Sequence, residues 1–157
     1  MKRGVKKLEL RRYDPRKDRD DLKELFDDFM KNKSYFNSNW NKFEYELSKR
    51  SLNLQYRNSM IMAEEEGGKM VGWGTYTIFR DYLGNDRAII HQILTRKEDS
   101  YKKGIEEMII RELMSYIEST HGINKFYAIC PDSDGNLRSL LLKLGLKKSD
   151  FIWYENP

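Results

Sequence analysis

The residues best placed to do chemistry lie in the run Ser100-Tyr101-Lys102-Lys103-Gly104-Ile105-Glu106-Glu107. An apolar strand-like run, Ala88 to Leu94, precedes it, and the strongest helical pattern of the chain follows it. A strand, a short basic loop with a glycine and then a helix start is an arrangement that holds phosphate. The first turn of a helix leaves backbone N–H groups unpaired and carries partial positive charge. A glycine lets an anion approach the main chain with no Cβ in the way, and Lys102 and Lys103 add cationic charge. His91, in the preceding strand, carries a side chain whose ordinary pKa suits proton transfer near neutrality; its plainer role is a half-buried strand histidine with a hydrogen-bond partner. Gln92 faces the other side of that strand, where it would orient a water or serve structure. Cys130 has no histidine at nucleophile spacing, and His91, His121 and Cys130 show no metal-ligand spacing. Glu64, Glu65 and Glu66 stand before Gly67-Gly68 and read as a solvated hairpin end, with a grip on a basic ligand as the sharper alternative.

The elements that must position these residues follow from periodicity. Val5 to Tyr13 alternates around Leu8 and Leu10 as a first strand. A helix starting at Asp20 carries Leu22, Leu25, Phe26, Phe29 and Met30 as one apolar stripe. A weaker helix follows over about 42–52. Ser59 to Ala63 and Met70 to Phe79 form a hairpin, with Gly72 and Gly74 marking a bulge or a close backbone approach in its second arm. Arg87 to Thr95 returns as the next strand. The helix after the basic loop runs over about 103–119 with Ile105, Met108, Ile109, Leu113, Tyr116 and Ile117 on one face, and His121-Gly122 ends it. Lys125 to Cys130 is a strand, Asp132 to Gly135 offers N-cap residues, Leu137 to Leu144 is a short helix, and Phe151 to Tyr154 reads as a last strand. Strands joined by tight turns pair antiparallel, whereas the strand–helix–strand unit from Ala88 to Cys130 makes a parallel right-handed crossover. The expected fold class is α+β: a mixed, mostly antiparallel central sheet flanked by helices.

Composition narrows the setting. The 157 residues fit one domain over 1–157, and 39% apolar residues suffice for a core. Charged residues reach 34%, yet the net charge is only +4, so the excess is of both signs. The interleaved acidic residues argue against a nucleic-acid partner. One cysteine excludes an internal disulfide and fits a reducing compartment, the cytoplasm. No apolar run reaches the roughly 20 residues of a membrane span.

This element order, with a phosphate-type loop between the fourth strand and the third helix, resembles the GNAT acyltransferase superfamily over nearly the whole chain. The family loop reads Arg/Gln-x-x-Gly-x-Gly/Ala. Tyr101-Lys102-Lys103-Gly104-Ile105-Glu106 lies over it, with Gly104 on the central glycine, Tyr101 in place of Arg or Gln, and Glu106 in place of a small residue. The resemblance implies an N-acetyltransferase that moves an acetyl group from acetyl-CoA to an amine of a small molecule or protein by direct attack in a ternary complex. It places the pyrophosphate on Tyr101, Lys102, Lys103, Gly104, Ile105 and Glu106, and the thioester carbonyl against the main chain of Ile93, Leu94 and Thr95. It sets His91 where some members carry a catalytic histidine. Asp134 to Leu146 resembles the family's Asn…Tyr-x-x-x-Gly-Phe helix, with Leu141 on the tyrosine that in many members protonates the leaving thiolate, and Asn136 and Ser139 on the cofactor side. Tyr35, Phe36, Trp40, Tyr45 and Tyr154 are the aromatic residues on the implied acceptor side. The alternative is a GNAT-fold protein without catalysis that binds CoA or a partner in a regulatory role. Exchange of the last strand, or edge pairing, would join two copies as a homodimer.

Overall fold

The computed structural model describes residues 7–32 and 36–157. Its elements in chain order are β1 (Leu8–Arg12), α1 (Arg19–Asn32), α2 (Trp40–Leu52), β2 (Ile61–Glu65), β3 (Met70–Gly74), β4 (Tyr76–Arg80), β5 (Asp86–Ile90), β6 (Leu94–Thr95), α3 (Ile105–His121), β7 (Phe126–Ala128) and α4 (Gly135–Lys143). The expected α+β class is what the chain adopts. All strand pairs are antiparallel except β5 with β7, the two strands joined through α3.

The sheet has two sections, in the order β1-β2-β3-β6 and β4-β5-β7. Each of two strands expected to be continuous is divided between them. Met70 to Phe79 breaks at Thr75, giving β3 and β4, and Arg87 to Thr95 breaks at His91–Ile93, giving β5 and β6. Trp73 pairs with Leu94 and Tyr76 with Ile90, so two intervening residues on one strand face three on the other. The extra residue is a β-bulge, which bends the strand and re-aims its side chains.

Alternation divides the apolar residues between two layers. Met62, Met70, Trp73 and Leu94 face Leu22, Leu25, Phe26 and Phe29 of α1 and Leu47 of α2. Ile61, Ala63, Val71, Ala88, Ile90 and Ile93 face Ile105, Ile109, Leu113 and Ile117 of α3 and Leu137 and Leu141 of α4. Each such aliphatic side chain contributes about 1.5–3 kcal/mol when fully buried. Helix ends follow the expected chemistry: Gly122 closes α3 in the left-handed conformation, and the Asp134 carboxylate accepts from the Leu137 N–H to cap α4.

Gly72 and Gly74 bear out the expected close approach. A Cβ at Gly72 would lie 2.4 Å from Ile105 Cγ2, and one at Gly74 would lie 2.7 Å from Ile109 Cγ2. A bulge adjoins the first of them, since Ala63 pairs with Gly72 but Glu64 with Met70. The start of α3 is therefore seated against bare backbone of β3.

Two expectations are corrected. Phe151 to Tyr154 forms no strand; Trp153 is 87% exposed and Tyr154 92% exposed. The run has strand-forming composition but pairs with no strand among the described residues. The acidic cluster is only in part a solvated hairpin end: Glu66 is exposed in the turn, but Glu64 and Glu65 belong to β2, and Glu65 is buried. Val5, at the expected start of the first strand, lies outside the described residues. Among the described residues no helix is long and apolar enough to cross a membrane.

Candidate functional site

β5 and β7 run side by side only as far as Ile90 and Ala128. The Ile129 N–H donates to the Ile90 carbonyl at 3.3 Å, and beyond this point the two chains separate. β6 pairs with β3 alone, so its other flank has no strand beside it among the described residues. At the apex the Gln92 side-chain amide donates to the Ile129 carbonyl at 3.1 Å, a bridge rather than a water-orienting position. Ile93, Leu94 and Thr95, whose main chain is the expected carbonyl-polarising segment, lie along this opening with their side chains buried on alternate faces.

The opening leads to the start of α3. Gly104 is its N-cap, in the left-handed conformation at φ 74°, and no side chain caps the helix. Space beside Gly104 is open, with nothing within 4 Å of where a Cβ would stand. The first-turn N–H groups thus face outward with the positive end of a long helix dipole behind them. Tyr101 also has positive φ, 59°, which is uncommon without glycine. Two hydrogen bonds hold it there. Its N–H donates to Glu106 Oε2 at 2.8 Å, and its hydroxyl donates to Asp134 Oδ2 at 3.0 Å. Burial, with the Asp134 charge beside it, pushes the Tyr101 phenol well above its usual range, so it stays a donor. Replacing Tyr101 with phenylalanine is expected to destabilise the fold by about 1.5 kcal/mol, the value of a hydrogen bond to a charged group, checked by urea unfolding.

Glu106 does not project into solvent. It is 3% exposed and folded back into the loop, where it accepts from both Tyr101 N–H and, at 3.4 Å, Ser100 Oγ. The exposed Lys103 side chain reaches two buried carboxylates: its Nζ lies 3.1 Å from Glu65 Oε1 and 2.7 Å from Asp99 Oδ1. The Asp99 and Glu65 hydrogen bonds raise its pKa. Lys102 is exposed and makes no ion pair among the described residues. Between the loop and α1 lies a cleft of about 320 Å³, lined by Phe29, Thr95, Lys97, Ser100, Tyr101 and Asn136 among others. Ser139, one helical turn further along α4, is exposed. Leu141, at the tyrosine position of the expected pattern, packs against α3 in the core. Burial raises the Cys130 thiol pKa and keeps it protonated.

His91 is part of a network on the α1–α2 face. Arg50 of α2 donates to Thr77 Oγ1 at 2.6 Å and to the Tyr76 carbonyl at 2.8 Å. Thr77 Oγ1 lies 2.6 Å from His91 Nε2. The Thr77 hydroxyl keeps a second lone pair and its own proton, so it pairs with Nε2 in either tautomer and ties the ring to Arg50. Burial and the Arg50 charge lower the pKa from 6.5 to about 4. The expected titration near neutrality is therefore corrected: burial beside Arg50 leaves His91 a neutral ring at neutral pH, with Nε2 in contact with Thr77. Sequence alone does not single out Arg50, Thr75 or Thr77, because their meeting depends on the break after Gly74.

The expected aromatic wall is mostly packing. Phe26 stacks on Phe43 with centroids 4.8 Å apart, Phe43 meets Trp73 edge-on at 5.3 Å, and Phe29 lies 5.6 Å from Phe36. Tyr45 and Tyr154 are exposed, and Tyr35 lies outside the described residues. No group of three metal-ligating side chains occurs among the described residues.

No family model matches the sequence, and no curated protein matches it. In three dimensions the likeness is extensive. A possible acetyltransferase from Clostridium difficile 630 superposes with a TM-score of 0.74 at 15% identity, covering 96% of this chain and 97% of its own. The aminoglycoside N-acetyltransferase AAC(6')-Iy, in complex with CoA, gives 0.76 at 8% identity, covering 100% and 99%. A ribosomal-protein-alanine N-acetyltransferase from Brucella melitensis biovar Abortus 2308 gives 0.65 at 14% identity, covering 98% and 99%. Across that span the chain has the GNAT acyltransferase fold.

Proposed function

We propose that this chain is an acetyl-CoA-dependent N-acetyltransferase, a single GNAT domain over 1–157 acting on an amine of a small molecule or protein in the reducing interior of the cell. The observation that carries the reading is the splayed flank of β6 leading directly to the uncapped N-terminus of α3, in a fold shared with a CoA-bound N-acetyltransferase. The site fits the donor in two respects: a strand flank open to an extended arm, and a helix start open beside Gly104 to phosphate. Glu106, inside the loop, is the residue that this fit has to accommodate.

Acetyl-CoA supplies an activated acyl group as a thioester. On this reading the main chain of Ile93, Leu94 and Thr95 orients and polarises the carbonyl by hydrogen bonding, and Tyr101, Lys102, Gly104 and Ile105 hold the pyrophosphate, with Asn136 on the facing wall. Lys103, held by Glu65 and Asp99, shapes the loop and contributes no direct contact. His91 acts as a positioning residue through Thr77 and Arg50. The proton released by the amine therefore passes to water, and with leucine at position 141 the departing sulfur takes its proton from solvent.

Acetyl-CoA is expected to stabilise the folded protein by about 2.7 kcal/mol at a hundredfold excess over its dissociation constant, read as a rise in melting temperature. No rise at millimolar concentration would remove this reading. Leu141 and the weak basicity of His91 favour the second reading, a CoA-binding protein without turnover. A thiol-release assay over amines, peptides and aminoglycosides separates the two: release above the hydrolytic background supports the enzyme, and binding without release supports the regulator.

A further inference from the structure

We propose that a cationic cleft at the end of β1 is a second binding site, one that takes a small phosphate-bearing ligand. The cleft has a volume of about 410 Å³ and lies between Arg12 of β1, the turn 14–17 that follows it and the segment 51–58 at the end of α2. That volume falls within the range of small-molecule pockets. The cleft stands apart from the donor loop. Leu8 pairs with Glu65, the partner of Lys103, whereas Arg12 pairs with Ile61, at the opposite end of the same strands. At about 3.3 Å per residue the two ends are about 13 Å apart. The site is therefore independent of the acetyl-CoA reading.

Arg12, Arg16, Lys17 and Arg57 line the cleft, and none of them forms an ion pair among the described residues. Asp14, the acidic residue of the lining, already accepts the Arg16 N–H on Oδ1 at 2.9 Å. Arg11 shows the contrast. Its guanidinium donates to both oxygens of Asp18 at 2.6 and 2.7 Å, and its Nε lies 3.2 Å from Glu64 Oε2, so its charge is matched. The Arg12 guanidinium is held by neutral partners instead: it donates to Asn58 Oδ1 at 3.0 Å and to the Tyr116 hydroxyl at 2.8 Å. Its direction is set while its charge is left unmatched. A guanidinium stays protonated whatever its surroundings. Cations gathered around one cleft repel one another, and a multiply charged anion turns that repulsion into attraction. Phosphate suits the site better than carboxylate. A phosphate ester carries about two negative charges and three acceptor oxygens, enough for more than one guanidinium fork, where a carboxylate fills one.

The test is an amide-resolved NMR titration of the full chain with inorganic phosphate and, separately, with glycerol phosphate, at an ionic strength held constant with sodium chloride. Both are expected to shift the amides of Asp14, Arg16, Lys17 and Arg57 saturably. Tighter binding of glycerol phosphate marks the ligand as an ester, and equal binding marks it as free phosphate. Arg57→Ala is expected to weaken both at least tenfold, the weight of one charge-assisted hydrogen bond. The Arg57 side chain makes no hydrogen bond among the described residues, so this variant keeps the fold. Arg12→Ala weakens binding as well, and should it fail to fold, Arg57→Ala decides alone. Unsaturated shifts, or equal affinity in a folded Arg57→Ala, overturn the site. Shifts confined to Gly104 and Ile105 overturn it too, because they place phosphate at the donor loop. Citrate bound as tightly as phosphate, or an RNA oligonucleotide bound here while glycerol phosphate is not, overturns the assignment of the ligand. The acetyl-CoA reading is decided separately, by coenzyme A.

Discussion

Gly72→Ala is expected to destabilise the protein by about 3 kcal/mol, the upper part of the range for overpacked cores, and to lower the melting temperature by about 6–12 °C. The added methyl would stand 2.4 Å from Ile105 Cγ2 and 2.9 Å from Ile109 Cδ1. The second atom is the end of a flexible side chain and can move. The first is not, because a β-branched residue in a helix is held almost entirely in one χ1 rotamer, so relief requires the first turn of α3 to shift. Glycine-to-alanine replacement also restricts the unfolded chain, which favours folding by about 0.4–1 kcal/mol; that is too small to offset the clash. A double-mutant cycle with Ile105→Ala identifies the cause. If the contact is responsible, the double variant loses less than the sum of the two single losses. Strict additivity, or a stable Gly72→Ala protein, would show that the helix start is not seated as described.

Acidification from neutral pH towards the folded pKa of His91 should cost the protein up to about 3 kcal/mol of stability. In the fold its pKa is lowered from 6.5 to about 4. Between those values the unfolded chain takes up a proton that the folded chain does not. Stability therefore rises with pH across this window, is complete above the unfolded value and falls as the pH drops through it. A shift of this size amounts to about 3 kcal/mol at most. Asp18 acts later. Burial pushes its carboxyl up, but hydrogen bonds from Arg11 and the Asp14 N–H outweigh that and hold it below 3.8, so its contribution is lost only at more acid pH. His121, also lowered by burial, slopes in the same direction as His91. Urea unfolding of wild type and His91→Gln between about pH 7 and about pH 4 isolates the His91 part. The glutamine variant is expected to show the flatter profile, and parallel profiles would mean that His91 titrates normally in the fold.

The parts of this structure that could be read from the sequence are those fixed within one or two helical turns. The stripe Leu22, Leu25, Phe26 and Phe29 announces α1, Gly122 and Asp134 announce a helix end and a helix start, and the succession of elements implies the single parallel crossover. What could not be read depends on partners far along the chain. The break of both central strands is a mismatch between Trp73–Tyr76 and Ile90–Leu94, invisible in either strand by itself. Glu65 looked solvated because the lysine that takes it is Lys103, on another element. His91 looked like a titrating base because nothing local shows that Arg50 and Thr77 converge on it. Phe151 to Tyr154 has the residues of a strand, yet it pairs with none among the described residues. The loop before α3 falls between these cases: its position was legible from Gly104 and the helix that follows, while the fold of Glu106 back onto Tyr101 and the pairing of Lys103 with Asp99 were not.

Gly72 touches more than one end of the molecule's working part. It pairs with Thr95, where the chain leaves the sheet, and Ile105, where the chain enters α3, rests against it. The segment 96–104 between them is therefore an omega-shaped excursion fastened at both feet to a single residue that has no side chain. Moving that fastening would change the aperture of the excursion without altering any atom a ligand touches. A mutational scan scored on donor affinity, with stability scored in parallel, should accordingly find Gly72 among its sensitive positions, deep in the sheet and out of a ligand's reach.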